Sequence, residues 1–166
     1  MQLRPATVAD QPWLQVLYAS TREQELALFE RDTRDAFIVL QFKAQHASYT
    51  SRYPAAQQQI IELDGLPVGR LWLHRDAREL LVLDISLLPQ WRGRGLGTRC
   101  LQPLLQQAQG QGQALRLHVM AENPARRLYE RLGLRVTGRQ GPYLEMAWWP
   151  APATRPLSLE TCDEQA

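Results

Sequence analysis

The sequence predicts a mixed α/β or α+β fold, with one central sheet of about seven strands flanked by about four helices. Strand-like and helix-like hydrophobic spacings follow one another in the order β, α, α, β, β, β, α, β, α, β, β. A long apolar run at residues 80–88 is typical of a strand that is covered on both faces. With 166 residues, of which 45% are hydrophobic and 22% charged, the chain is expected to fold as a single domain.

The charge balance excludes some classes of partner. Nineteen Lys and Arg residues against 17 Asp and Glu give a formal net charge of +2, which is too small to favour a nucleic-acid or membrane surface. We therefore expect no nucleic-acid partner and no membrane partner. Two cysteines, Cys100 and Cys162, and a start without the apolar core of a signal peptide favour a reducing, cytoplasmic location.

The first third of the chain predicts an edge strand and two helices. Residues 2–6 are strand-like, and Pro5 restricts that strand to the edge of a sheet. A helix opens near Pro12 and ends near residue 20. A second amphipathic pattern at residues 37–48 follows a charged stretch and ends before Pro54.

The middle of the chain predicts a hairpin and then the central strand. Apolar residues at 60–63 and 68–73 flank the step Asp64-Gly65, which is typical of a tight hairpin turn. The apolar run at 80–88 comes next and contains Asp84, so we expect a carboxylate within the central strand.

The rest of the domain predicts a helix, a strand, a helix and two strands. Their ranges are 96–108, 114–120, 125–132, 134–137 and 143–149. Pro103 lies inside the first of these helices and should kink or delay it. We expect one domain over residues 1–149, followed by a Pro-rich, polar tail over 150–166.

The segment between the central strand and the next helix predicts an anion site. Glycines at 93, 95 and 97 would let backbone N–H groups approach an anion at the helix N-terminus. A dinucleotide fingerprint needs a glycine where Thr98 stands, and a P-loop needs a lysine that is absent. The segment therefore indicates a phosphate cradle of another type. Its candidate residues are Arg92, Gly93, Arg94, Gly95, Leu96, Gly97 and Thr98.

Two ordered motifs carry a resemblance to a known family. They are Pro89-Gln90-Trp91-Arg92-Gly93-Arg94-Gly95-Leu96-Gly97 and Asn123-Pro124-Ala125-Arg126-Arg127-Leu128-Tyr129-Glu130-Arg131-Leu132-Gly133-Leu134. With the order of elements, they make the chain resemble the GNAT superfamily of N-acetyltransferases over residues 3–149. The second motif departs twice from the family's usual form, because Asn123 lies one residue closer to Ala125 and Leu134 replaces a phenylalanine.

The resemblance implies a fold and a donor substrate. The sheet should be mostly antiparallel and splayed between its fourth and fifth strands by a bulge. Acetyl-CoA should bind as co-substrate, with its pyrophosphate on the backbone N–H groups of Arg92–Thr98 and with Asn123 also in contact. The pantetheine arm should pair like an extra strand with the edge formed by Ile85, Leu87 and Leu88. A backbone N–H near Leu87 or Leu88 would polarise the thioester carbonyl.

Tyr129 is the candidate acid for the departing thiolate. A phenol with an ordinary pKa of about 10 stays protonated beside a thiol of about 8.5, and it can hydrogen-bond to the leaving sulfur or reprotonate it. The resemblance places a tyrosine of this role here. The alternative is core packing, because Tyr129 shares an apolar helix face with Ala125 and Leu132.

Asp84 is the candidate general base. A carboxylate inside an apolar strand is costly unless it is paired or functional, and the family often has an acidic base on this strand. It would act directly or through a water molecule. The alternative is a structural ion pair with an arginine such as Arg70 or Arg116, and His118 on the adjacent strand is a weaker candidate for the base.

The amine acceptor should bind near the first two helices and the turn at residues 138–142. Acidic residues of the charged stretch are candidates to attract a cationic amine, namely Glu23, Glu25 and Glu30. An aromatic wall is expected from Phe42, His46, Tyr49 and Tyr53. The alternative is a solvated loop beside an ordinary helix face.

These features predict direct transfer of an acetyl group to a primary amine of a small molecule or peptide, in a ternary complex. Cys100 lies in an apolar helical register, so we expect a packed thiol and not a covalent carrier, and no metal-ligand spacing is present. Transfer of a longer acyl group is the alternative among enzymes. The alternative of another class is a non-catalytic acyl-CoA-binding module, dimeric through the last strand with Trp148 and Trp149 at the partner surface.

Overall fold

Seven strands and five α-helices make up the part of the chain that the computed structural model describes, residues 1–152. The strands are β1 (Gln2–Pro5), β2 (Gln57–Leu63), β3 (Leu66–Arg75), β4 (Glu79–Leu87), β5 (Ala114–Met120), β6 (Arg135–Gln140) and β7 (Tyr143–Trp148). The helices are α1 (Gln11–Ser20), α2 (Glu23–Leu26), α3 (Arg31–Arg52), α4 (Leu96–Gln111) and α5 (Ala125–Arg131). Most of the expected tail, residues 150–166, lies outside the described residues.

The charged stretch before the second predicted helix is itself partly helical. It contains the short helix α2 and the first turn of α3, which begins at Arg31 and not at residue 37. Hydrophobic periodicity missed this start because residues 31–35 are polar and lie on the surface. Pro103 lies within α4, and that helix still begins at Leu96 without delay.

The seven strands form one sheet in the order β1-β2-β3-β4-β5-β7-β6. All neighbouring pairs are antiparallel except β4 and β5, which are parallel. This confirms the predicted class and places β4 at the centre and β1, which contains Pro5, at an edge. Because β7 pairs with β5 on one side and β6 on the other, it offers no free edge for a dimer formed through the last strand.

Strands β4 and β5 separate part of the way along their length. They pair only from Glu79 to Val82 and from Ala114 to Leu117, although both strands continue beyond these residues. In β4 the pairing with β3 shifts by one residue, from Asp84 opposite Trp72 to Val82 opposite Leu73. The extra residue at this bulge, Leu83, bends β4 away from its parallel neighbour. The predicted splay between the fourth and fifth strands is therefore confirmed, and it opens a cleft.

Two apolar cores hold the sheet between layers of helices. The larger core joins β3, β4, β5 and β7 to α4 and α5, and it includes Leu71, Val82, Leu101, Leu117 and Met146. The smaller core joins α1, α2 and α3 to the opposite sheet face, and it includes Leu14, Leu17, Leu26, Phe42 and Ile60. Burial of side chains of this size contributes roughly 1.5–3 kcal/mol each. The sheet is therefore packed on both faces by apolar layers.

The hairpin between β2 and β3 turns at Asp64 and Gly65. Both residues have positive φ angles, 51° and 79°, as a two-residue turn of type I′ requires. The prediction from the Asp-Gly step is confirmed.

Within residues 1–152, no helix combines the length and the apolar composition needed to cross a bilayer.

Candidate active site

The loop that leads into α4 presents backbone N–H groups to solvent. Gly93 and Gly95 have φ angles of 70° and 78°, a left-handed conformation that residues with a Cβ rarely adopt. A Cβ built on either glycine meets nothing within 4 Å, so the space in front of the loop is open. The N–H groups of the first helical turn, at Leu96, Gly97 and Thr98, have no carbonyl partner within the helix. This arrangement suits an anion.

The two arginine side chains of this loop do not point their charge into one shared site. The Nε of Arg92 donates to the carbonyl oxygen of Leu87 at 2.9 Å, which ties the loop to the end of β4. The guanidinium of Arg94 lies over the ring of Trp91, 5.1 Å from its centroid. Arg92 is therefore used to fix the loop, and free N–H donors are left on the loop backbone and on Arg94.

Gly97 has a packing role that the other loop glycines lack. A Cβ at Gly97 would lie 2.7 Å from Cδ2 of Leu128, so the missing side chain lets α4 and α5 approach closely. The second family motif therefore helps to position the loop of the first motif.

Replacement of Gly97 by valine should destabilise the fold. The extra methyl groups would push α5 away from α4, and overpacking of this kind costs about 1–3 kcal/mol. Denaturant unfolding measures the loss. The matched control is Gly110→Ala on the same helix, where a Cβ meets nothing within 4 Å. This substitution should raise the free energy of unfolding by at most about 1 kcal/mol. Equal stability of the valine variant and the wild type would contradict the packing role.

The open edge of β4 carries the second part of the site. The N–H of Leu88 donates to the carbonyl oxygen of Val68 in β3 at 2.9 Å. It therefore does not polarise a thioester, which corrects the expectation for that residue. Because N–H groups alternate sides along a strand, those of Leu87 and Ile85 point to the edge where β5 has separated. The carbonyl of Leu87 points the same way, as its bond from Arg92 shows.

Tyr129 lies in α5, and its side chain lines the cleft between the separated strands. The residue is only 5% exposed, and it packs in the larger core. Burial, and to a smaller extent the negative charge of Asp84, raises the pKa of Tyr129 well above its ordinary value. The phenol therefore keeps its proton across the physiological range. The ring packs in the core, as the packing interpretation predicts, and the residue also faces the cleft; its role as an acid stays a prediction.

Asp84 lies in the same cleft and is paired with Arg70. Its Oδ2 accepts hydrogen bonds from Nε of Arg70 at 2.8 Å and from Oγ of Ser86 at 2.9 Å. Arg70 is almost fully buried, with 3% of its side chain exposed, against 22% for Asp84. Neither bond uses Oδ1 of Asp84. The carboxylate is therefore held in place by one oxygen while the other is left for a further partner.

Of the two arginines considered for Asp84, only Arg70 is its partner. Arg116 instead pairs with Glu79 at 2.7 Å and with Glu145 at 2.8 Å. His118 also lines the cleft but is exposed.

Asn123 caps the start of α5, as its position before Pro124 predicts. Its Oδ1 accepts a hydrogen bond from the N–H of Ala125 at 2.9 Å. The residue also lines the cleft. Because Asn123 lies one residue closer to Ala125 than in the usual motif, its side chain can form this hydrogen bond at the start of the helix.

The acceptor half of the cleft differs from the sequence expectation. Tyr49 and Tyr53 line it as predicted, but Phe42 is buried in the smaller core and His46 packs on Trp72, with ring centroids 5.6 Å apart. The acidic residues expected to attract the amine, Glu23, Glu25 and Glu30, are exposed and are not part of the lining.

Several lining residues were not singled out from the sequence. The cleft has a volume of about 430 Å³, and its additional polar lining includes Arg22, Gln45, Arg52, Ser86 and Tyr143. They come from four separate elements or turns, so no spacing in the sequence connects them. The aromatic residues predicted along α3 are the one signal in the sequence that pointed toward this wall.

Cys100 lies in the core and outside the cleft lining. It is 2% exposed, and its sulfur lies 3.9 Å from the sulfur of Met1. Burial raises the pKa of its thiol to about 11, so the thiolate needed for acyl transfer is scarce at neutral pH.

Comparison with known proteins identifies the family. The sequence profile of the Acetyltransferase (GNAT) family matches residues 14–134. The uncharacterized N-acetyltransferase YycN of Bacillus subtilis (strain 168) is 38% identical over 76 residues, which cover 42% of this chain and 49% of that protein. The chain thus aligns with about half the length of this curated relative.

Solved structures share the fold at low sequence identity. The PaiA N-acetyltransferase from Thermoplasma acidophilum, solved in complex with coenzyme A, superposes with a TM-score of 0.68 at 16% identity. The match covers 89% of this chain and 98% of that one. An acetyltransferase from Thermus thermophilus gives a TM-score of 0.65 at 21% identity, over 89% and 96% of the two chains.

The family expected from the two motifs is confirmed, and with it the expected class of enzyme, an acyl-CoA-dependent acetyltransferase. The profile match spans the phosphate-cradle loop, the splayed strands and α5. On this match and on the geometry of the cleft, the chain belongs to the GNAT family of acetyltransferases.

Proposed function

We propose that this protein moves an acetyl group from acetyl-CoA directly to a primary amine of a small molecule or peptide. The observation that carries the proposal is the cleft between β4 and β5. It brings Asp84 and Tyr129, which lie 45 positions apart in the chain, to the lining of one cavity. Strand β4 leads from this cavity to the free N–H groups at the start of α4.

The donor would occupy the loop and the open strand edge. Backbone N–H groups of residues 93–98 would hold the pyrophosphate, with Arg92 fixing the loop and Arg94 at its rim. The pantetheine arm would run along Ile85 and Leu87 in the place that β5 has left. The open space in front of Gly93 and Gly95 supports this placement, as does the coenzyme A complex of the Thermoplasma relative. Leu88 and Asn123 would border the donor. The N–H of Leu88 is already bonded to Val68, whereas the side-chain NH2 of Asn123 is left as a donor because only its Oδ1 bonds to Ala125.

In this proposal Asp84 takes the proton that the amine must lose. The amine nitrogen forms a bond to the acetyl carbonyl carbon, and the carbon–sulfur bond of the thioester breaks. The N–H of Leu87 stabilises the developing negative charge on the carbonyl oxygen. The proton leaves the nitrogen for Oδ1 of Asp84, directly or through a water molecule.

Tyr129 acts on the leaving sulfur mainly as a hydrogen-bond donor. The pKa of a tyrosine is ordinarily above that of a thiol, and burial raises the pKa of Tyr129 further, so complete transfer of its proton to the thiolate is uphill. The hydroxyl instead stabilises the thiolate until solvent protonates it. This reaction needs no covalent enzyme intermediate, in agreement with the buried position of Cys100.

Release of coenzyme A thiol tests the proposal. The purified protein is incubated with acetyl-CoA and with a panel of primary amines, and mass spectrometry identifies any acetylated product. We expect amine-dependent thiol release with an equal amount of N-acetylated amine. A folded protein that binds coenzyme A and acetylates no amine in a broad panel would contradict the transferase function and favour a binding module.

A further inference from the structure

The cleft has an unusual charge composition. Among the residues that the structure describes, its lining contains three arginines, Arg22, Arg52 and Arg70, and one carboxylate, Asp84. Arg70 and Asp84 form an ion pair at 2.8 Å and neutralise each other. Arg52 has no carboxylate partner among residues 1–152, and Glu25, the partner of Arg22, is not part of the lining, so the lining carries more positive than negative charge.

Neighbouring residues engage only part of the Arg22 guanidinium, with Glu25 as its ion-pair partner and Tyr143 beside it. It follows the end of α1, and its guanidinium lies 5.3 Å from the ring centroid of Tyr18. One nitrogen, Nη1, pairs with Glu25 at 3.1 Å, while Nε is buried and has no hydrogen-bond partner among residues 1–152. The Glu25 side chain is 46% exposed, so solvent weakens the pair and a ligand can compete with Glu25 for Nη1. Glu25 itself is not part of the cleft lining.

Arg52 also lines the cleft. It is the last residue of α3, and its guanidinium is 5.7 Å from the ring centroid of Tyr53. Within the described part of the chain, no carboxylate lies within 4.0 Å of it. The aromatic ring orients the guanidinium without neutralising it.

We propose that the amine acceptor carries an anionic group, a carboxylate or a phosphate, that Arg22 and Arg52 bind. The proposal rests on the proposed acetyltransferase function and defines its substrate class. A guanidinium binds either anion through paired N–H donors, and this would leave the amine of the same molecule near Asp84. A polyamine would place its further positive charges against two arginines, with no second carboxylate in the described lining to receive them.

Matched amines test the charge preference. The panel contains aminoalkanoic acids with short aliphatic spacers, the aminoalkyl phosphates, the carboxamides of the same acids, and diaminoalkanes. We expect kcat/KM for the best anionic amine to exceed that of its carboxamide by about 10-fold to 100-fold, the effect of one or two charge-assisted hydrogen bonds. The acid and phosphate series identify which anion the site takes.

Two arginine variants test the assignment of the site. Arg22→Gln and Arg52→Gln should each reduce the ratio of kcat/KM between the acid and its carboxamide toward one. Calorimetry with acetyl-CoA should give the wild-type affinity in both variants. The matched control is Arg31→Gln at the first residue of α3, about 30 Å along the helix from Arg52. It should leave the ratio unchanged.

The outcomes separate this proposal from the proposed function. Faster acetylation of carboxamides or diaminoalkanes than of anionic amines would overturn the anionic acceptor and leave the transferase standing. An unchanged ratio in both glutamine variants would overturn the assignment to Arg22 and Arg52. Acetylation of no amine at all, with coenzyme A still bound, would overturn both proposals.

Discussion

Replacement of Tyr129 by phenylalanine should lower kcat by about 100-fold or more, because loss of one hydrogen-bond donor that stabilises developing charge costs roughly 10²–10³ in kcat. The variant keeps the ring in the core and removes only the hydroxyl that would stabilise the thiolate. Affinity for acetyl-CoA should change by less than about 3-fold, since the interaction belongs to the transition state. Stopped assays of thiol release together with calorimetry measure the two effects.

The pH dependence of the wild type gives a second test of the same residue. The active form of Tyr129 is the protonated one, because only this form can donate a hydrogen bond. Burial raises the pKa of Tyr129, so the protonated form is lost only as the pH rises through that raised value. Between pH 7 and about pH 10, titration of Tyr129 should therefore not lower the rate of the wild type. Any fall in this range should also occur in the phenylalanine variant. Unfolding free energies of the two proteins should agree within about 1 kcal/mol. Unchanged turnover in the variant would contradict the acid role and leave core packing as the role of Tyr129.

Replacement of Asp84 by asparagine should affect both turnover and stability. The amide cannot take a proton, so kcat should fall by about 10²–10⁴. Arg70 would lose the charge that compensates it, although the asparagine oxygen can still accept its hydrogen bond. We expect the free energy of unfolding to fall by about 1–3 kcal/mol, less than for a fully buried pair because 22% of the Asp84 side chain is exposed.

A double variant separates the base from the ion pair. Arg70→Gln combined with Asp84→Asn removes both charges and leaves two polar groups that can bond to each other. The double variant should regain most of the unfolding free energy that Asp84→Asn loses, whereas its turnover should stay as low as that of Asp84→Asn. Ser86→Ala removes the other hydrogen bond to Oδ2 and keeps the charge, so its loss of turnover should be smaller than that of Asp84→Asn. Recovery of turnover in the double variant would show that Asp84 has a structural role only.

The sequence predicted the fold well where local chemistry decides the conformation. The Asp64-Gly65 step specified the hairpin, and the apolar run at 80–88 specified the central strand. The start of α3 was predicted six residues too late, because polar surface residues carry no hydrophobic period. Helix propensity without periodicity gives too weak a signal to place such a start.

Details of the candidate site depend on strand register, which the sequence does not specify. Both Arg70 and Arg116 lie on strands next to β4, and only the pairing of Trp72 with Asp84 brings Arg70 to the carboxylate. The direction of the Leu88 N–H toward Val68 is set by the same register. The charge of the acceptor wall depends on how α1 and α3 pack against the sheet, so the sequence pointed to exposed glutamates where the structure has arginines.

Binding of the donor tests the central claim most directly. Isothermal calorimetry with acetyl-CoA and with coenzyme A is performed on the wild type, on Gly95→Trp and on Gly65→Trp. The two glycines have nearly equal φ angles, 78° and 79°, and a Cβ at either meets nothing within 4 Å, so backbone strain should be the same. We predict micromolar binding by the wild type and by Gly65→Trp, and its loss in Gly95→Trp. No binding by the folded wild type, or equal binding by both variants, would contradict a donor site at this loop.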